Sequence, residues 1–132
     1  MYERSEEYAK YWVEQAIRFY QSVGRDIALA EFSNPNGMFV QGELYIFVLS
    51  LSGTMLAHGV NEKFVGLDFS GVKDSEGKLF NQEILETAKS KGNGWVKYVW
   101  YHPRRKKLFP KIAYFQKEDD MIVCSAVYEE EE

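Results

Sequence analysis

The chain has 132 residues, of which 45 % are hydrophobic, 27 % charged and 16 % aromatic, and its formal net charge is −4. That length suits one domain, residues 1–132, with a hydrophobic core of its own. The acidic balance argues against nucleic acid as a partner, the single cysteine, Cys124, excludes an internal disulfide and a thiolate metal site, and no run approaches the roughly 18 apolar residues of a membrane span.

Residues from about Ser5 to Phe32 follow helical spacing. Tyr8, Trp12, Phe19, Val23, Ile27 and Phe32 form a stripe, thickened by Ala16 and Ile17. The spacing predicts one long helix, ended by the turn residues Asn34-Pro35-Asn36-Gly37. Glu43 to Leu49 is rich in β-branched and aromatic residues, and Met55 to Gly59 continues beyond a turn at Ser52 and Gly53. Together they predict a hairpin. Val60 to Lys78 has no period and is expected to be loop with brief extended pieces.

A second helix comes next, with Phe80, Ile84, Leu85 and Ala88 on one side and Gly92 as its C-terminal cap. Lys89 and Lys91 in its last turn suit the helix dipole. Trp95 to Tyr101, Leu108 to Gln116 and Met121 to Tyr128 then form a three-stranded antiparallel meander. Its turns are "HPRRKK", expected to be a solvated basic turn, and the tighter "KEDD". The acidic tail, residues 129–132, is a like-charge run expected to stay disordered. The predicted class is α+β: a five-stranded antiparallel sheet over about 43–128, with a long N-terminal helix and a second helix packed on it.

Motifs for catalysis are missing. There is no G-x-S-x-G, no phosphate loop and no distinctive carboxylate pair. His58 and His102 lie far apart, and "DSEG" at Asp74 to Gly77 lacks the alternating ligands of a calcium loop, so it reads as a turn. Cys124, in an apolar stretch, reads as a small hydrophobe. The expectation is therefore a protein without enzymatic activity, cofactor or metal.

What remains is the strand set. Alternation places Val96, Tyr98 and Trp100 on one face of their strand, and Trp95, Lys97, Val99 and Tyr101 on the other. Lys111 sits among apolar residues in "LFPKIAYF". Two readings are open: an exposed lysine, or an inward cation that needs an anion to offset its desolvation.

From Leu44 to Tyr128 the chain carries, in order, "LSGT", "LAH", "VGLDF", "DSEGK", "GNGWVKYVW", "HP", "FPKIAYF" and "VCSAVY". This ordered set resembles a single Cache domain of the second type. The resemblance implies a PAS-like sheet carrying a ligand pocket, used as a sensory input in signal transduction and chemotaxis. It implies a small organic acid as ligand, of the acetate, propionate or pyruvate kind; the alternative is a ligand-free PAS-like interaction or dimerisation domain. Carried over by position, the pocket residues are Tyr98, Trp100 and Lys111, with Tyr45, Phe47, His58 and Tyr114 beside them. Lys111 would meet the carboxylate, Tyr98 would donate a hydrogen bond, and Trp100 and Phe47 would form an apolar wall.

The family's proline after the histidine is Gly59 here, which suggests a looser loop. Its small glycine in the last strand is Ser125 or Ala126, which would shrink the pocket. Expected partners are the small carboxylate, a signalling protein and a second copy of the chain along the N-terminal helix. No leader or transmembrane segment is visible. If Met1 is the natural start the chain is cytoplasmic, whereas the family is usually extracytoplasmic.

Overall fold

The structure, a computed structural model, describes residues 6–129. The predicted helix start at Ser5 and the tail residues Glu130 to Glu132 lie outside the described residues. The five strands form one antiparallel sheet in the order β2-β1-β5-β4-β3. They are β1 (Phe47–Ser50), β2 (Met55–His58), β3 (Asn93–His102), β4 (Lys107–Glu118) and β5 (Met121–Tyr128).

The predicted single N-terminal helix is two. Helix α1 covers Glu6–Val23 and helix α2 covers Arg25–Phe32. Gly24 between them has φ 91°, a left-handed value that cannot continue a right-handed helix. Helical periodicity carries across this break because it sees the spacing of apolar residues and not the chain direction. The cost of the misreading falls on Ile27, which the stripe places in the core and which is 60 % exposed.

Helix α3 covers Phe80–Lys91 and stops at Gly92 in the left-handed conformation, whose N–H bonds to the Ala88 carbonyl. The segment between the hairpin and α3 is loop, apart from a short 3-10 turn at Glu62–Phe64 and an isolated antiparallel bridge from Asp68 to Thr54. The predicted hairpin is present, but its first strand begins only at Phe47. Gln41 and Leu44 pair with each other in an isolated bridge instead of extending it.

Strand alternation divides the interior into two cores. On one face, Ala9, Val13, Ala16 and Ile17 of α1 pack with Ile112, Tyr114, Met121, Val123 and Val127. On the other, Phe80, Ile84, Leu85 and Ala88 of α3 pack with Phe47, Leu49, Val96, Phe115, Ile122 and Cys124. The end of α1 and the start of α2 are tied to the end of β4 and the β4–β5 turn. There Tyr20 donates to the Asp119 carboxylate, Gln21 to Glu118 at 2.9 Å and Arg25 to Asp120 at 2.8 Å.

Asp74 fastens the long loop to the sheet edge. Its Oδ1 accepts from the backbone N–H groups of Glu76 (2.9 Å) and Lys78 (2.8 Å), and its Oδ2 from Val99 of β3 (2.9 Å). The "DSEG" turn is thus closed by its own aspartate, which also satisfies a donor on an otherwise open edge strand. Burial raises the Asp74 carboxyl, but the bonds from Val99, Lys78 and Glu76, together with the charge of Lys78, outweigh it and hold the group below its ordinary value. A depressed folded value means that the contribution is present above the ordinary carboxylate range and is lost as pH falls through the folded value. Asp74→Ala is expected to lower the unfolding free energy by about 2–4 kcal/mol in urea titrations at pH 7, with the gap to wild type narrowing in acid. A variant as stable as wild type at pH 7 would show that the latch is dispensable.

Candidate functional site

The register of the meander aligns Tyr98 of β3, Lys111 of β4 and Tyr128 of β5 as directly opposed neighbours. All three therefore present their side chains to the same face, the one carrying α3. At the far end of the sheet Phe47 pairs with His58 across the hairpin. Between these two groups lies a cavity of about 260 Å³. It is lined by Tyr45, Phe47, His58, Tyr98, Trp100 and Lys111, six of the seven residues singled out in the sequence.

The seventh, Tyr114, is elsewhere. It lies three residues from Lys111 on one strand, an odd separation that puts it on the opposite face. There its ring stands 5.0 Å from that of Trp95 and its hydroxyl donates to Gln116 at 2.8 Å. Alternation alone excludes it from a pocket containing Lys111.

Lys111 is 2 % exposed. Its ammonium sits over the ring of Tyr128 at 4.6 Å and that of Tyr45 at 5.5 Å. Among the described residues no carboxylate lies within ion-pair distance of it. Burial lowers its pKa to about 8, partly offset by the charge of Glu43. Glu43 itself is held by Arg104 at 2.8 Å and by His102 at 3.4 Å, so the basic turn supplies the counter-charge on that side.

His58 is buried and oriented by its own loop. The N–H groups of Val60 (3.3 Å) and Asn61 (3.0 Å) both donate to Nδ1, which leaves the ring hydrogen of the neutral form on Nε2. Burial, and then the charge of Lys111, lower its pKa to about 4. Burial also raises Tyr98, and lifts Tyr45 to about 12, so both keep their phenolic hydrogens. At neutral pH the site thus holds one ammonium, one neutral imidazole and two phenols.

Gly59, in place of the family's proline, does not loosen this loop. Its N–H donates to the Ile46 carbonyl at 3.0 Å, a bond that proline lacks. A Cβ there would stand 2.8 Å from the Tyr45 Cβ and 3.1 Å from Val40 Cγ2. Glycine lets the backbone close onto the residue that flanks Lys111. In the last strand, Ala126 belongs to the core on the cavity side, whereas Ser125 donates its hydroxyl to the Tyr45 carbonyl at 2.7 Å.

Several lining residues escape a reading of the sequence. Phe80, at the start of α3, stacks parallel on Tyr98 at 4.1 Å and meets Trp100 edge-on at 5.6 Å. Its helical stripe marks it only as core. Met55, Phe64 and Phe69 also line the cavity, together with Asn81, whose amide donates to the Phe69 carbonyl at 3.1 Å. Phe64 and Phe69 sit in aperiodic chain, where only their bulk and apolarity distinguish them. A second cavity, of about 270 Å³, shares Tyr45, Val60, Trp100 and Lys111 with the first.

A PAS-like antiparallel sheet with a small, mostly aromatic cavity against one face is an α+β architecture with room for a small molecule. The Cache domain family model dCache_2 matches residues 6–132, and the chain belongs to that family. Three solved structures are similar along nearly the whole length. The periplasmic sensor domain of a chemotaxis protein is 27 % identical, covers 94 % of this chain and 90 % of its own, and has a TM-score of 0.70. A Cache chemosensory domain described for carboxylic acid recognition is 29 % identical, with 98 % and 96 % coverage and a TM-score of 0.78. A methyl-accepting chemotaxis protein from Vibrio parahaemolyticus, 16 % identical with 93 % and 87 % coverage and a TM-score of 0.78, shares the fold. The chain is accordingly a sensory Cache domain of the kind found in chemotaxis receptors. No helix among the described residues is long and apolar enough to cross a membrane.

The lowered pKa of His58 has a thermodynamic sign. Between its ordinary value of 6.5 and its folded value of about 4, the unfolded chain binds more protons, so stability falls as pH falls through that window. Urea titrations at pH 7, 5 and 4 are expected to show an acid loss on the order of 3 kcal/mol that His58→Gln lacks. Parallel pH profiles for the two proteins would contradict a neutral, buried imidazole.

Proposed function

We propose that this domain binds a small monocarboxylate, with the Lys111 ammonium meeting the carboxylate. The observation that carries this reading is a buried cation inside a cavity, facing two aromatic rings and no ion-paired carboxylate among the described residues. An anionic ligand would supply the charge that the protein does not, through charge-assisted hydrogen bonds each contributing roughly 1.5–3 kcal/mol. Tyr98 and Nε2 of His58 add neutral donors to the same wall. Trp100, Phe47 and Tyr45 enclose the rest of the ligand. The carboxylic acid recognised by one structural relative supports the same chemistry. No covalent step is required; binding is the function.

Signalling would follow from differential affinity for two arrangements of the domain. The cavity loops and α1 lie on opposite faces of the sheet, so a shift felt by α1 would pass through the alternating side chains of β4 and β5. A second copy of the chain along α1, or a separate signalling protein, would receive it.

A thermal-shift screen of monocarboxylates from acetate to phenylacetate tests the ligand class. A binder present at 100 times its dissociation constant is expected to stabilise the domain by about 2.7 kcal/mol. Lys111→Met should fold and abolish the shift. A flat response across the whole panel would sink the reading. The pKa of Lys111 adds a pH signature. A bound carboxylate favours the charged lysine, so affinity is expected to hold steady below about pH 8 and to fall about tenfold per pH unit above it. Calorimetric titrations at pH 7, 8, 9 and 10 check this, and a pH-independent affinity would contradict contact with Lys111.

A further inference from the structure

If the site takes a monocarboxylate, as proposed, the size and lining of its cavity restrict which monocarboxylates fit. A cavity of roughly 150 Å³ lined by apolar side chains holds a benzene molecule. The one beside Lys111 measures about 260 Å³. A two- or three-carbon acid would leave most of that space without contacts, and unfilled apolar space forfeits dispersion.

Much of the rest of the lining is apolar and aromatic. Met55, Phe64, Phe69 and Phe80 supply it, and among the described residues that line the cavity there is no aspartate or glutamate. An amino acid would therefore find no carboxylate for its ammonium. A dicarboxylate would find no second cation, because His58 is held neutral.

Phe64 and Phe69 are only half-buried, and Val60, at the junction with the second cavity, is 51 % exposed. These are apolar groups at the cavity margin whose burial a larger ligand would complete. Phe64 already meets Phe69 at 5.0 Å and His58 edge-on at 5.0 Å, an open aromatic corner suited to a further ring.

We infer that the site is built for a monocarboxylate with a bulky apolar tail, an aryl-substituted or medium-chain acid, in preference to acetate, propionate or pyruvate. Its carboxylate meets Lys111, and its tail lies among Met55, Phe64, Phe69 and Phe80. Each further buried methylene strengthens binding roughly fourfold, so the preference should be large.

Isothermal titration with acetate, propionate, hexanoate, phenylacetate, succinate and 2-phenylethanol tests it. Phenylacetate or hexanoate is expected to bind at least about tenfold more tightly than propionate, with succinate weaker than either and 2-phenylethanol, which lacks the carboxylate, weakest. Phe64→Ala, at a half-buried loop position, is expected to weaken phenylacetate about tenfold more than it weakens acetate. Acetate or propionate binding as tightly as phenylacetate would overturn the tail preference and leave the monocarboxylate reading standing. Binding of 2-phenylethanol as tight as phenylacetate would overturn the role of the carboxylate itself, and silence from every acid would overturn both.

Discussion

The fold around the site is organised by one costly object, the buried ammonium of Lys111. Lowering a lysine from 10.5 to about 8 reflects on the order of 3 kcal/mol acting against its charged form. A packed core does not tolerate such a group without compensation. Here the compensation is partial and comes from two directions: the faces of Tyr128 and Tyr45, and the field of Glu43. Glu43 is in turn restrained by Arg104 and His102 at the end of the meander. The basic turn, which composition marks as a solvated loop, thus has a partner beside the site.

Parity along the strands turns this local arrangement into an architecture. Tyr98, Lys111 and Tyr128 stand opposite one another in the sheet, and residues two positions away share their face. One residue away, Ile112 and Val127 belong to the other core, under α1. The sheet therefore separates a layer that holds the cavity and its lysine beside the α3 core from a second apolar core under α1. The long loop must close the cavity layer without a strand of its own. Asp74 fixes it to the edge of β3, Asn81 ties Phe69 to α3, and His58 gathers the backbone of Val60 and Asn61. Each anchor satisfies backbone groups that a cavity wall would otherwise leave unpaired.

Much of this is legible in the sequence because it depends on local chemistry. The three long strands, the cap at Gly92 and the partition of "GNGWVKYVW" into Tyr98 and Trp100 against Trp95 follow from propensity and alternation. Other features depend on contacts distant in sequence. Asp74 announces a turn, but nothing nearby reveals that its second oxygen reaches Val99. Gly24 is a single glycine inside a good helical stripe, and only its φ shows that the chain turns there. Position-by-position resemblance carries Tyr114 into the pocket against the alternation that separates it from Lys111. Gly59 reads as the loss of a rigid proline, whereas the space it vacates is taken up by Tyr45.

The charge on Lys111 also bears on how binding becomes a signal. A ligand that only filled the cavity would act on the α3 face and leave the lysine as it was. A carboxylate bound as proposed would act on the lysine itself, since pairing its charge would offset part of the penalty against the ammonium. Of the two rings that face the ammonium, Tyr128 is the nearer. Its ring faces that ammonium at 4.6 Å, its hydroxyl donates to the Tyr101 carbonyl at 2.5 Å, and it ends the last strand. An anion bound as proposed would compete with this ring for the lysine and would leave the hydroxyl's hydrogen bond to Tyr101 untouched by that competition. A carboxylate bound as proposed would therefore act at the C-terminal end of β5, on the α3 face, one residue from Val127 of the core that α1 covers.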